Sequence, residues 1–163
     1  MKLVIKEKAF TILDQYDIKD EDDNVVYKVK GKIDITKRLD VYDAEGECVG
    51  KIKEKMIKLV PHYEIFMGDE HIGDITKDIF KLVKDKYSFD YNDWKIKGDL
   101  INFNYDIKAG VKKVAEISRK AIRIITPTYV IDVANKKDVL PAVLVAVAIF
   151  AMQDDAQKEK KSL

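Results

Sequence analysis

The chain has 163 residues, one cysteine, and 30 Lys plus Arg against 29 Asp plus Glu. This length fits a single domain, and the near-zero net charge excludes a bulk attraction to nucleic acid or anionic lipid, so any basic patch must be local. A lone Cys48 excludes an internal disulfide and a cysteine-based zinc site, and it fits a reducing cytosol. We therefore expect no nucleic-acid partner, and a protein that is cytoplasmic or peripheral to a membrane.

Strands are predicted from residue 3 to about residue 133, because apolar residues recur there with a period of two. The opening residues lack the apolar run and cleavage site of a signal peptide and read as a first strand. The clearest alternation is Ile101, Phe103, Tyr105 and Ile107, whose side chains would share one face of a half-buried strand. Turn signals recur every roughly 18 to 26 residues, which indicates about six hairpins and about twelve strands.

Two rows of lysines lie on the predicted outward faces of two strands. They are Lys28, Lys30 and Lys32, and then Lys51, Lys53 and Lys55. If the rows are neighbours in the sheet, they form a patch for anionic lipid headgroups, each lysine contributing about 1 kcal/mol near a charged membrane. The alternative is an ordinary solvated face that keeps a sheet soluble.

No cofactor or metal centre is predicted from the remaining chemistry-bearing residues. His62 and His71 have no neighbouring cysteine or HExxH helix, and a metal site needs three or four converging ligands, so surface or barrel-end positions are expected. The acidic run 20–24 lacks the glycine and the glutamate of a calcium loop, since Val25 and Gly31 stand there. Cys48 shares the parity of its apolar neighbours and is expected to face the core. Common hydrolase and nucleotide-binding motifs are missing from the sequence.

Four glycines share the parity of the inward apolar residues. They are Gly31, Gly50, Gly73 and Gly98. A glycine inside a strand marks either the close approach of another backbone or an ordinary bulge that curves the sheet, and the pattern leaves both open.

Residues 139–152 are apolar at all 14 positions, which predicts a helix buried on every side. Such a helix is about 21 Å long, short of a hydrocarbon core of about 30 Å, so burial inside protein is favoured over membrane insertion. A sheet of about twelve strands closed into a barrel has a lumen too wide for its own side chains. We therefore predict a closed antiparallel barrel around a central C-terminal helix, as one domain over residues 1–156 with a disordered polar tail at 157–163.

Several segments together resemble the LURP-one-related proteins. These are residues 5–10 (IKEKAF), 16–20 (YDIKD), 25–32 (VVYKVKGK), 43–46 (DAEG) and 129–133 (YVIDV) ahead of the apolar helix. The resemblance covers nearly the whole chain and implies a tubby-like barrel, a fold that this family shares with tubby C-terminal domains and phospholipid scramblases. The cysteine-rich segment of scramblases is missing here, and the basic pair by which tubby proteins bind phosphoinositides has no aligned counterpart.

The resemblance implies a non-enzymatic tubby-like module that binds anionic phospholipid headgroups or protein partners. Two other functions stay open from the sequence. One is a small enzyme with a shallow surface site, and the other is a membrane-inserted protein that uses residues 139–152.

Overall fold

The computed structural model describes residues 1–6, 15–33, 35–55, 62–78, 86–99, 102–120 and 128–162. Within them the strands are β1 (Lys2–Lys6), β2 (Gln15–Lys19), β3 (Val25–Ile33), β4 (Lys37–Asp43), β5 (Cys48–Glu54), β6 (His62–Met67), β7 (Glu70–Asp78), β8 (Lys86–Phe89), β9 (Trp94–Asp99), β10 (Asn104–Ala109), β11 (Lys112–Lys120) and β12 (Thr128–Val133). A short 3-10 turn (Lys136–Asp138) then leads into one α-helix, α1 (Val139–Lys161). The prediction of a mainly β, antiparallel protein with one C-terminal helix is confirmed.

The strands pair in chain order, and β1 also pairs with β12, so the order of pairing returns to its start. The β1 to β12 ladder runs from Lys2 opposite Asp132 to Lys6 opposite Thr128. Among the described residues, two contacts consist of one residue pair, namely Val4 with Lys19 between β1 and β2 and Ser88 with Lys95 between β8 and β9. These are the two shortest ladders in the described part of the sheet.

The core lies between the inward faces of the strands and α1. Alternation along the strands buries apolar side chains on one face, for example Ile52, Ile65 and Ile131 at 0% exposure. Every helix residue from 142 to 149 is also 0% exposed, which matches a sequence without a polar face there. The helix contacts β5, β6, β7, β11 and β12. None of the helices in the described part of the chain has the length and hydropathy to cross a membrane.

The polar tail differs from the prediction of disorder at 157–163, because α1 continues to Lys161. Its sequence, rich in Gln, Glu and Lys, consists of good helix formers that need no burial to extend an existing helix. The last buried turns are also anchored, since the Tyr63 hydroxyl donates a 2.8 Å hydrogen bond to Asp155, which also pairs with Lys37.

The strand predicted from Ile101 begins later, at Asn104. Residues 102–103 form a turn, and Phe103 has a φ of 55°, in the left-handed region. Its ring packs against Tyr129 and Phe150, with ring centroids 4.8 and 5.6 Å away. Phe103 therefore contributes to the core from the turn and not from the strand in which it was predicted. Ile101 itself and residues 7–10 of the first resembling segment lie outside the described residues.

Gly50 marks the close approach of the central helix. A Cβ built there would lie 2.5 Å from Leu144 Cδ2 on α1. At Gly98 the nearest atom would be the Asn104 carbonyl oxygen at 2.5 Å, and at Gly73 it would be the Asp90 carbonyl oxygen, so these two face other backbone rather than the helix. Among Gly50, Gly73 and Gly98, the expected approach of the helix is observed at Gly50.

Gly50→Ala is expected to lower the free energy of unfolding by about 1–3 kcal/mol, because the added methyl overpacks a filled core. Leu144→Ala alone should cost about 2–5 kcal/mol through the cavity it leaves. In the double variant the new methyl occupies part of that cavity, so urea unfolding should show a loss smaller than the sum. Additivity within about 0.5 kcal/mol would contradict the contact.

Candidate functional site

The outward side chains of β3 to β7 form one continuous surface, which we call the β3–β7 outer face. Cross-strand pairing sets Lys30 opposite Asp40, and Asp40 opposite Lys51. The two predicted lysine rows are thus not adjacent, because β4 lies between β3 and β5. This places the rows about 10 Å apart, and β4 contributes Arg38, Asp40 and Tyr42 between them.

Three of the six lysines are neutralised by carboxylates. Lys32 Nζ lies 3.0 Å from Asp40, Lys51 Nζ 3.0 Å from Asp69, and Lys55 Nζ 3.3 Å from Glu64. The hydrogen bond to Asp40 raises the pKa of Lys32, and the hydrogen bond to Asp69 raises the pKa of Lys51. The predicted patch is therefore smaller than its lysine count indicates.

The other three lysines have no carboxylate at salt-bridge distance among the residues that the structure describes. Lys30 Nζ lies 4.9 Å from the centroid of the Tyr42 ring, and Lys53 Nζ lies 4.8 Å from that of Phe66. Lys28 is exposed two residues before Lys30 on β3. A ring attracts a cation but does not cancel its charge. Each of the three lysines also stands directly opposite a carboxylate residue in the ladder, namely Asp17, Asp40 and Glu64 in turn, beyond salt-bridge distance, so the positive field that they keep at the surface is reduced.

A histidine and carboxylate cluster occupies the β6 and β7 end of the same face. Asp74 Oδ2 lies 2.8 Å from His62 Nε2, and Asp74 Oδ1 lies 2.6 Å from His71 Nε2. Glu64 stands directly opposite Asp74 in the ladder, and its carboxylate, the Asp74 carboxylate and the His71 ring have ligand atoms within 4.8 Å of one another. Both histidines therefore share one carboxylate, a contact that their separation in the sequence does not predict.

A register shift explains how the cluster forms. Ile65 pairs with Gly73, whereas Phe66 pairs with His71, so β7 carries one extra residue at this point. The bulge brings His71 to the same face as Asp74, although an odd separation of three residues would put them on opposite faces of a regular strand. The His71 ring also packs against Phe66, with centroids 5.2 Å apart.

Asp74 is held in its charged form. Partial burial by itself would raise the pKa of the carboxyl, but the hydrogen bonds donated by His71 and His62 outweigh it and keep the pKa below its ordinary value. The side chains are partly accessible, with exposed fractions of 14% for His62, 29% for Asp74 and 47% for His71. A ligand from solvent therefore reaches this carboxylate through the His71 side.

Cys48 differs from its predicted place in the core. It is half-buried and pairs with Tyr42 across a register shift between Val41 and Tyr42. Because paired residues point to the same side, the shift puts Cys48 with Tyr42 and not with the inward Gly50.

Antiparallel strands packed around one apolar C-terminal helix define a class of mainly β proteins whose core contains their own helix. The chain belongs to the LURP-one-related family, whose profile matches residues 1–151.

Two known proteins illustrate the similarity. The uncharacterised protein YxjI of Bacillus subtilis (strain 168) is 27% identical over 150 residues, which is 91% of each chain. An X-ray structure of a protein from Arabidopsis thaliana superposes with a TM-score of 0.57 at 18% identity, covering 94% of this chain and 91% of the other. At this identity the second match shows the shared fold.

Proposed function

We propose that this protein is a non-enzymatic cytoplasmic module that binds anionic phospholipid headgroups through the β3–β7 outer face. The observation that carries the proposal is the trio Lys28, Lys30 and Lys53, none of which has a described carboxylate at salt-bridge distance. Half-buried Tyr42 and Phe66 lie beneath two of these cations. Aromatic rings beside lysines suit the interface between headgroups and acyl chains.

The expected affinity is modest and depends on salt. Each lysine near an anionic membrane contributes about 1 kcal/mol, so three give about 3 kcal/mol, or roughly 150-fold over a neutral surface. The lysines are exposed or half-exposed, and added salt screens them over about 8 Å at physiological ionic strength. Binding of this strength is reversible and fits recruitment rather than permanent anchoring.

The interior supports a binding role over an enzymatic one. In this proposal the strands form a closed tubby-like barrel, which the returning order of pairing supports. The helix side chains that face the strands are fully buried from residue 142 to 149, so a substrate would have to use the surface. The same three lysines also suit a protein partner with an acidic surface. The vesicle experiment below distinguishes this alternative from lipid binding.

Vesicle flotation tests the proposal with phosphatidylcholine vesicles that contain or lack phosphatidylserine. Wild-type protein should float with the anionic vesicles at low salt and be released at high salt. The test variant is Lys28→Ala/Lys30→Ala/Lys53→Ala, and the control variant is Lys95→Ala/Lys97→Ala/Lys112→Ala. The test variant should bind roughly 100-fold more weakly, whereas the control, with the same charge change on β9 and β11, should bind nearly as well as wild type.

Equal losses in the two variants would show that only overall charge matters and would contradict a specific face. If wild-type protein does not bind anionic vesicles, the lipid proposal fails, and an acidic protein partner becomes the better explanation of the three lysines.

A further inference from the structure

We propose that the cluster on β6 and β7 is a binding site for a divalent transition metal of the zinc class, with His62, Glu64, His71 and Asp74 as its ligands. The proposal rests on side-chain geometry and is independent of the lipid-binding function. It adds a metal site on the same outer face, at the opposite end from Lys28 and Lys30.

Asp74 is the centre of the site. Its two oxygens each accept a hydrogen bond from one imidazole, at 2.8 Å from His62 and 2.6 Å from His71. In each contact a proton lies between a ring nitrogen and a carboxylate oxygen, which is a place that a metal ion can take. Zinc binds histidine nitrogen and carboxylate oxygen at about 2.0–2.2 Å, so tetrahedral ligand atoms are about 3.4 Å apart. The Asp74 oxygens and the imidazole nitrogens that they contact therefore need to move apart by well under 1 Å. Glu64, His71 and Asp74, whose ligand atoms lie within 4.8 Å of one another, need to draw closer together, and His62 needs to turn toward them.

Glu64 supplies a second carboxylate from the neighbouring strand. It stands directly opposite Asp74, and like charges in such a pair destabilise a sheet. Lys55 partly compensates Glu64 at 3.3 Å, while the two histidines contact Asp74. A metal ion between the carboxylates would remove the remaining repulsion, and Lys55 competes with it for Glu64.

The donor set selects the class of metal. Two imidazole nitrogens with two carboxylate oxygens suit zinc and its neighbours in the first transition series, whereas calcium and magnesium prefer oxygen ligands throughout. His62, Glu64 and Asp74 belong to two hydrogen-bonded strands, and the His71 ring is supported by Phe66. Ligands fixed in this way lose little freedom when the metal binds.

The test uses the full chain with any histidine tag removed, titrated with zinc chloride by calorimetry and by proton NMR. The sequence contains 2 histidines, so the imidazole region of the spectrum reports each of the two rings separately. One zinc ion per chain should bind, and both histidines should shift over the same range of zinc concentration. Calcium chloride should leave both histidine signals unchanged.

Three substitutions separate this site from other modes of zinc binding. His71→Ala should weaken zinc binding by at least about tenfold, because removing even a residue that only hydrogen-bonds to a metal ligand lowers metal affinity by about that factor. Lys55→Ala should strengthen binding by freeing Glu64. Cys48→Ala should bind like wild type.

The proposal is overturned by any of three results. These are the absence of saturable binding at millimolar zinc, a response from only one histidine, or loss of binding in Cys48→Ala. Circular dichroism of each variant checks that it is folded, and exposed His71 makes the His71→Ala variant a mild change for the core.

Discussion

A chain that ends at Lys137 is expected not to fold. The cut removes α1, whose residues 142 to 149 are fully buried, and leaves the inward faces of twelve described strands exposed to water. A single buried leucine or isoleucine truncated to alanine costs about 2–5 kcal/mol. Loss of the whole helix therefore far exceeds the roughly 5–15 kcal/mol that stabilises a domain. Circular dichroism and size-exclusion chromatography should show an unfolded or aggregated chain.

The matched control ends at Ala156. It keeps every fully buried helix residue and Asp155, which holds Tyr63 and Lys37, and removes only the polar end of the helix. Because surface changes away from buried features cost little, this chain should unfold cooperatively with a stability within about 1 kcal/mol of wild type. If instead the chain that ends at Lys137 is soluble, monomeric and cooperatively folded, the helix does not complete the core.

The fold was predictable because two patterns in the sequence are physically unambiguous. Alternation such as that of Tyr27 and Val29 with Lys28 and Lys30 has one structural reading, a half-buried strand. A helix that is apolar all round, as at 142–149, must be enclosed. These patterns indicate which face of a strand is buried, and Val29, Ile52 and Ile107 are buried in the structure as predicted. The end of α1 was missed because its polar last turns depend on helix propensity and on Asp155 rather than on burial.

The candidate site was predictable only in part, because alternation does not reveal register. The sequence predicted a patch of six lysines. The neutralisation of three of them depends on β4 lying between the rows and on Asp40, Glu64 and Asp69 being within reach. The histidine cluster depends on a single bulge in β7, and a bulge reverses the face that the period of two assigns. Cys48 was misplaced for the same reason. Predicting these features requires knowledge of which residues contact one another across strands, and a single sequence does not contain that information.

Stability is expected to fall steeply above about pH 10, where free tyrosine ionises. Burial raises the pKa of Tyr16, and burial followed by the negative charge of Asp155 raises the pKa of Tyr63. Their exposed fractions are 7% and 1%, so the folded protein keeps both phenols protonated at a pH where the unfolded chain loses their protons. A pKa raised on folding gives stability that is complete below the unfolded pKa and is lost as the pH rises beyond it.

The size of the effect follows from proton linkage. Each buried phenol that stays protonated while its unfolded counterpart ionises lowers the free energy of unfolding by about 1.36 kcal/mol per pH unit, so two give about 2.7 kcal/mol per unit. Half-buried Tyr27, whose pKa is raised by burial and then by Asp43, adds to this slope in the same direction. Within two pH units above 10 the loss approaches the whole stability of a marginal domain.

Tyr16→Phe and Tyr63→Phe isolate the contribution of the two phenols. Urea unfolding measured from pH 9 to pH 11 should show a shallower alkaline decline in each single variant and the shallowest in the double variant. Tyr63→Phe also removes the 2.8 Å hydrogen bond to Asp155, so it should be less stable at neutral pH by about 1.5–3 kcal/mol. The readout is therefore the slope against pH and not the absolute stability. A double variant with the wild-type slope would mean that these phenols ionise in the folded protein, which is incompatible with their enclosure by the strands and α1.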